Sequence, residues 1–270
     1  MPNLKKTALS FIAILALSQI TYAGGDIVPV VEPIVETSAV EENHWEFRLS
    51  PYAWFAGFEG DVASIPGGSI IPIDISSSDT LSDTEASFMG MFEGKKNGKG
   101  FFLDFLYSDL QSEETLIEGI GLVLNSTSKT TIISGAYLHE IYNQDNSVVD
   151  ALIGVRYWEI DTHLAFNGGL GILGGRSIEH TESWVDPLIG IKGRTSLGDT
   201  DFYAAGGVAI GGFGVGSDFF YDVTANLGYQ WSDSIGTTIG YRYYALDYEN
   251  DGFIYDVSQQ GLILGLTWAF

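Results

Sequence analysis

The chain of 270 residues contains no cysteine, which excludes a disulfide framework, a thiol nucleophile and a thiolate metal site. Cations are scarce: 12 Lys and Arg stand against 35 Asp and Glu, for a formal net charge of -23. A surface of that sign repels polyanions, so nucleic acid is excluded as a partner. Long apolar runs are missing too. The one near the start, Ala8 to Leu17, falls short of the roughly 20 residues a membrane-spanning helix needs. Calcium-loop, phosphate-loop, zinc-site and nucleophile-elbow spacings are also lacking, so neither a metal nor a cofactor is expected.

What the chain does have is apolar surface, at 45% of residues, together with 34 glycines and many aromatics. Lys5 and Lys6, the apolar run and the closing Thr21, Tyr22 and Ala23 make residues 1–23 a cleavable secretory signal. Its removal takes away two cations and no acid, which leaves ten Lys and Arg against the same 35 acids. Residues 24–43 are rich in Val, Pro and Glu without sustained alternation and are expected to form a flexible acidic tail. High charge and high apolarity coexist poorly on one soluble surface. A transmembrane barrel separates them, with apolar side chains at mid-height and acids in its loops.

From Trp45 onward a two-residue period recurs. Trp45, Phe47, Leu49, Ala53 and Phe55 alternate with Glu46, Arg48, Ser50, Tyr52 and Trp54. Strands near Glu85 to Gly94 and Gly100 to Tyr107 flank Asn97-Gly98, a strong hairpin signal. Further pairs follow: Thr130 to Tyr142 with Ser147 to Ile160, Ser183 to Arg194 with Asp201 to Ile210, Asp218 to Trp231 with Thr237 to Leu246, and a last stretch from Phe253. In the last strand Leu262, Leu264, Leu266, Trp268 and Phe270 share one face and end on an aromatic. The expected fold is therefore all-β: an antiparallel up-and-down transmembrane β-barrel spanning residues 44–270, of about ten strands. Ile71 to Ile75 and Leu116 to Leu124 leave eight or twelve open. The connections Gly60 to Thr84, Asp109 to Lys129 and Asp161 to Glu182 are long, and those after even strands are short. Barrels of this kind place short turns in the periplasm and long loops outside, so both termini and the tail are expected to be periplasmic and the acidic loops extracellular.

Several segments resemble a widespread group of Gram-negative outer-membrane β-barrel proteins whose biochemical role is mostly unassigned. They are Ser50-Pro51-Tyr52-Ala53-Trp54, Leu103-Asp104-Phe105-Leu106-Tyr107, Gly154-Val155-Arg156-Tyr157-Trp158 with Asp150 before it, Trp184-Val185-Asp186-Pro187, Gly211 through Asp218, Gly240-Tyr241-Arg242 and the closing Phe270. Where that group has an acid before Gly-Gly-Phe-Gly this chain has Ala209 and Ile210, so no role attached to that acid is carried over. The resemblance implies the outer membrane, with Leu264, Leu266, Trp268 and Phe270 as sorting signal. Lipid, lipopolysaccharide and the barrel-assembly machinery are the implied partners, and the default state is a monomer.

The alternation turns Arg48, Asp104, Asp150, Arg156, Asp186 and Arg242 inward. Buried charges persist when paired, so these residues read either as an ion-pair network that fills the lumen or as the lining of a solute path. His163 and His180 share the third long loop with Asp161, Glu179 and Glu182 and are the candidates for a polar cluster. Leu164 to Arg176 in that loop mixes glycines with apolar residues, which suits a cover over the barrel mouth, contact with the outer leaflet, or a plain extension of the hairpin. Asp61, Asp74, Asp79, Asp83, Glu113, Glu114 and Glu118 crowd the first two loops and read as a solvated, repulsive surface. The functional expectation is a non-enzymatic barrel forming a narrow or gated passage for small solutes or hydrophobic compounds. A structural or adhesin-like barrel is the alternative, and a barrel hydrolase ranks below both.

Overall fold

The computed structural model describes residues 44–117, 121–168 and 175–270. The signal (1–23), the tail (24–43) and part of the Leu164 to Arg176 segment lie outside the described residues. The strands are β1 (Glu46–Ala63), β2 (Ile71–Ile75), β3 (Thr84–Lys96), β4 (Lys99–Ile117), β5 (Leu122–Gln144), β6 (Ser147–Asn167), β7 (Arg176–Ser196), β8 (Phe202–Gly212), β9 (Phe219–Gln230), β10 (Ile235–Asn250) and β11 (Phe253–Ala269). Each pairs antiparallel with its neighbours, and β1 pairs with β11 from Arg48↔Ala269 to Ala63↔Ile254, which closes the ring. Ten strands form the wall; β2 is a short flap on the upper part of β1, followed by the one-turn helix α1 (Ser77–Ser82). The open count of eight or twelve is thereby settled at ten, because Ile71–Ile75 adds no wall strand and Leu122–Leu124 begins β5.

One end of the barrel carries tight turns. Asn97 and Gly98 turn β3 into β4, and Asp145 and Asn146 turn β5 into β6, all four with positive φ, the geometry of two-residue hairpin turns that follow strand twist. Phe270 joins this end by exchanging backbone hydrogen bonds with Phe47, each 2.9 Å. At the opposite, loop end the strands run much further than their apolar alternation. Ladder pairing continues to Thr115↔Val123 between β4 and β5, and to Phe166↔Arg176 between β6 and β7. The expected loops Asp109 to Lys129 and Asp161 to Glu182 are thus mostly sheet. Above the apolar belt both faces of a hairpin meet polar surroundings, so side-chain alternation fades while backbone pairing persists.

The outer wall carries a belt of exposed apolar side chains, among them Leu103, Ile133, Ile153, Ile189, Leu227 and Leu264. The inner faces hold the buried core, which includes Trp54, Trp158, Trp184, Phe220, Tyr244, Tyr248 and Phe253. This distribution places apolar surface on both sides of a one-layer wall, which water tolerates only as an interaction surface. Among the described residues no helix is long and apolar enough to cross a membrane.

At the closing seam, Gly261 lies so near Ala56 and the Phe55 carbonyl that any Cβ there would strike backbone. Gly261→Val is therefore expected to destabilise the closed barrel by about 1–3 kcal/mol, seen as a lower temperature for conversion of the compact to the extended band in detergent gels; an unchanged temperature would show that the seam relaxes freely.

Candidate functional site

Along its axis the lumen falls into two halves. The half toward the turn end is a cavity of about 650 Å³, reaching the turns at Asn97, Gly98, Asn143 and Asn146. Its floor is a network centred on Asp222. That carboxylate accepts from Arg242 Nε at 2.9 Å and Nη2 at 2.6 Å, and from Arg156 Nη2 at 3.0 Å. Arg242 Nη1 donates to the Tyr52 hydroxyl at 3.1 Å, and that hydroxyl donates to Asp104 at 2.9 Å. Arg156 Nε donates to Ser134 at 2.8 Å. Two arginines, two carboxylates and two hydroxyls, drawn from β1, β4, β5, β6, β9 and β10, thus neutralise one another where the charges are buried, the condition under which such charges are tolerated.

Beyond this floor the lumen is filled by an aromatic septum. The Arg156 guanidinium lies 4.8 Å from the Phe220 ring and that of Arg242 lies 4.9 Å from Trp54, so the network and the septum share a boundary. Trp184 stacks on Tyr248 at 3.7 Å and on Trp158 at 5.7 Å, and Trp158 meets Tyr244 at 5.4 Å. The indole nitrogens of Trp54 and Trp158 and the Tyr244 hydroxyl are buried without a protein hydrogen-bond partner. Each such group carries a penalty of about 1–3 kcal/mol.

The septum is fastened by the β8–β9 connection. Gly212, Phe213 and Gly214 all take positive φ and fold Ser217 into the barrel. The Ser217 amide donates to Asp186 Oδ1 at 2.7 Å and its hydroxyl to Asp186 Oδ2 at 2.6 Å; Trp184 Nε1 donates to Ser217 Oγ at 2.9 Å. A Cβ on Gly216 would sit 2.7 Å from Asp186 Oδ1, so glycine is required there. On the loop side, Glu182 accepts from the Tyr248 hydroxyl at 2.6 Å and Asn250 at 2.9 Å, which ties β7 to β10 above the short β8–β9 hairpin.

The expected network differs in its partners. Asp186 faces Arg156 in register, yet it belongs to the loop clamp, because its oxygens are taken by Ser217 and Trp184. Asp150 pairs with Lys95 at 2.7 Å and with no arginine. Arg48 reaches Glu93 at 3.8 Å near the middle of the cavity. Asp222, the hub, lies inward in the alternation of β9, with nothing in that pattern to set it apart from other inward acids. β3 runs past the expected strand end at Gly94 to Lys96, which turns Lys95 inward.

His163 and His180 sit within β6 and β7 rather than in a loop, and on opposite faces. His163 meets the exposed Glu179 at 3.5 Å, whereas His180 meets Glu182 at 3.1 Å and packs against Phe253. The expected cluster is therefore not assembled; an odd spacing puts strand neighbours on different sides. Among the described residues no three His, Asp or Glu side chains converge to hold a metal ion. Leu264, Leu266, Trp268 and Phe270 all stand exposed on the outer face of the closing strand.

No protein-family description matches this sequence, and no curated protein matches it. Solved structures do resemble the fold. The outer-membrane protease OmpT from Escherichia coli aligns with a TM-score of 0.57 at 11% identity, over 85% of this chain and 98% of that one. The translocator domain of the autotransporter NalP from Neisseria meningitidis aligns at 0.45 and 12% identity, over 85% and 90% of the two chains. The attachment invasion locus protein Ail of Yersinia pestis, solved with a heparin analogue, aligns at 0.36 and 13%, over 84% and 98%. The likeness to OmpT shows the fold alone: a closed antiparallel β-barrel.

Removing the hub of the floor leaves two buried guanidinium groups facing each other. Asp222→Ala is expected to cost about 3–5 kcal/mol of stability, whereas Asp104→Ala costs less because Arg242 keeps Asp222; urea unfolding in detergent of both variants tests the order, and equal losses would refute the hub.

Proposed function

We propose that this protein is an outer-membrane β-barrel, monomeric and non-enzymatic, that forms a narrow, gated passage for small solutes and is closed in the present state. The outward apolar belt, the secretory signal and the likeness in fold to OmpT support the location. On this reading the turn end and both termini face the periplasm, and the hairpins with their acids face outward amid lipopolysaccharide. Assembly follows the route of other barrels, with the aromatic end of β11 as its signal.

One observation carries the functional part: half of the lumen is a charged cavity, and the other half is a septum pinned by the β8–β9 loop at Asp186 and by Glu182 at Tyr248. A barrel whose only task is structural gains nothing from a cavity lined with ionised groups, because filling it with side chains would add packing. The septum, by contrast, is built to let go. It rests on the hydrogen bonds that Asp186 accepts from Ser217, and its orphaned indole and hydroxyl groups gain partners when water or a polar solute enters.

A second reading, passage of hydrophobic compounds, is favoured by the wall itself. The β1–β3 ladder ends at Pro51↔Gly90, so strand pairing does not hold Tyr52–Gly57 against Thr84–Met89. Trp54, Ala56 and Met89, behind that seam, are part of the apolar core. A solute using this side route is carried equally well by the wild type and by a variant with an altered clamp.

The decisive measurement is conductance in planar bilayers. Wild-type barrels are expected to be silent or to open rarely, in small steps, and Asp186→Ala to raise the open fraction by about tenfold or more, as loss of the hydrogen bonds it accepts from Ser217 and Trp184 implies. Folded barrels that stay silent in both forms would leave the structural reading standing instead.

A further inference from the structure

Charge is distributed in this chain with a bias that the fold alone does not require. The cavity wall includes seven of the 12 Lys and Arg residues but only six of the 35 Asp and Glu residues. In a protein of net charge -23, the cavity is a region of slight positive excess. That excess is concentrated at one level.

At the floor, arginines and carboxylates balance. Near the mouth, Lys95 is shared by Glu140 at 3.1 Å and Asp150 at 2.7 Å, which leaves a surplus of acid. Between these levels Arg48 and Lys192 converge on a single carboxylate, Glu93. β1 and β7 stand on opposite sides of the ring, so this contact spans the lumen. Arg194, on the same face of β7 as Lys192, lines the same cavity as Arg48. It is held by the Gln230 amide oxygen at 2.7 Å and by the Tyr203 ring at 3.5 Å rather than by a carboxylate. Arg48 Nε is buried with no protein partner.

Two cations thus meet on one acid, and a third, Arg194, stands two residues along β7 in the same cavity wall, with Phe102 beside Lys192 and Tyr203 beside Arg194. Like charges brought together across a lumen repel unless an anion lies between them, and guanidinium groups are suited to carboxylate and phosphate oxygens. We infer that the cavity binds a small organic or inorganic anion, carboxylate or phosphate, between Arg48, Lys192 and Arg194. Glu93 occupies the site as an internal stand-in that the incoming anion displaces from Lys192. This names the solute class for the passage proposed above and rests on that reading for its physiological use, but the binding itself does not require the septum to open.

The stand-in role yields opposite signs for two variants, which a purely structural role would not. In detergent micelles, the purified protein is titrated with benzoate and, separately, with inorganic phosphate, by calorimetry. Saturable binding of one or both is expected, weakened about tenfold or more in Arg194→Gln through loss of a charged partner, and tightened in Glu93→Gln because the competing carboxylate is gone. The compact gel band confirms that each variant is folded. Benzoate alone would mark an organic carboxylate site, and phosphate alone a phosphoryl site; either supports the inference. No saturable binding of either probe, or binding that Glu93→Gln weakens, would overturn it. Binding by a barrel that stays silent when its clamp is cut would retain the anion site and remove the passage. A conducting Asp186→Ala barrel without anion preference in its reversal potential, and without binding, would do the reverse.

Discussion

Closure of the wall is the constraint on which everything else in this molecule depends. A single sheet with apolar side chains on both faces has no stable open form in water or lipid, because its two edge strands would present unpaired amides and carbonyls. The β1–β11 ladder removes those edges from Arg48↔Ala269 to Ala63↔Ile254. Its geometry then fixes the interior, because closure at ten strands sets a diameter at which inward side chains from opposite walls can touch. Lys192 on β7 reaches Glu93 on β3, and Arg242 on β10 reaches Asp104 on β4 at 3.7 Å, only because the ring has this size.

Given that diameter, the two halves of the lumen follow from side-chain size. Toward the loop end inward positions carry Trp158, Trp184, Tyr248 and Phe253, large enough to meet in the middle. Toward the turn end many of them carry small side chains such as Ser50, Gly207, Thr224, Thr238 and Gly265, too short to cross, and long charged chains extend into the space. The network of Asp104, Asp222, Arg156 and Arg242 sits at the transition. It presents guanidinium faces to the aromatic side and hydrogen-bonding edges to the polar side, a combination lysine would not supply.

The barrel was legible in the sequence because its strongest signals are local. Two-residue alternation, Asn97-Gly98 and the apolar face ending at Phe270 each report on their own neighbourhood. Strand length was not legible beyond the belt, since pairing above it depends on backbone rather than side chains, as the continuation of β6 to Asn167 shows. Facing was legible for Arg48, Asp104, Asp150, Arg156, Asp186 and Arg242, but pairing was not. Asp186 lies opposite Arg156 in register and still turns to Ser217, a residue 31 positions away on a connection whose path rests on three successive positive φ angles. No period in the sequence encodes that path. The hub at Asp222 was hidden for a similar reason, because its importance comes from two arginines on different strands.

The sign of the interior bears on how such a barrel would work. At the loop end, Asp61, Asp247 and Asp256 lie side by side on the outer face of β1, β10 and β11, so like charges stand directly across neighbouring strands. Cross-strand like charges cost stability in a sheet, and their accumulation there, while most cations are gathered in the cavity, separates charge along the barrel axis. If the cavity binds anions as proposed, a small anion would be repelled at the loop-end rim and attracted at the middle of the cavity, over distances of about 10 Å set by physiological screening. That gradient runs from the acidic loop end to the cationic middle of the cavity. It also sets the septum a different task from that of a plain plug. On the proposed reading, loosening Trp184 and Tyr248 would connect the cationic middle of the cavity to the acidic rim, and the direction of net movement would then follow from the field as well as from concentration.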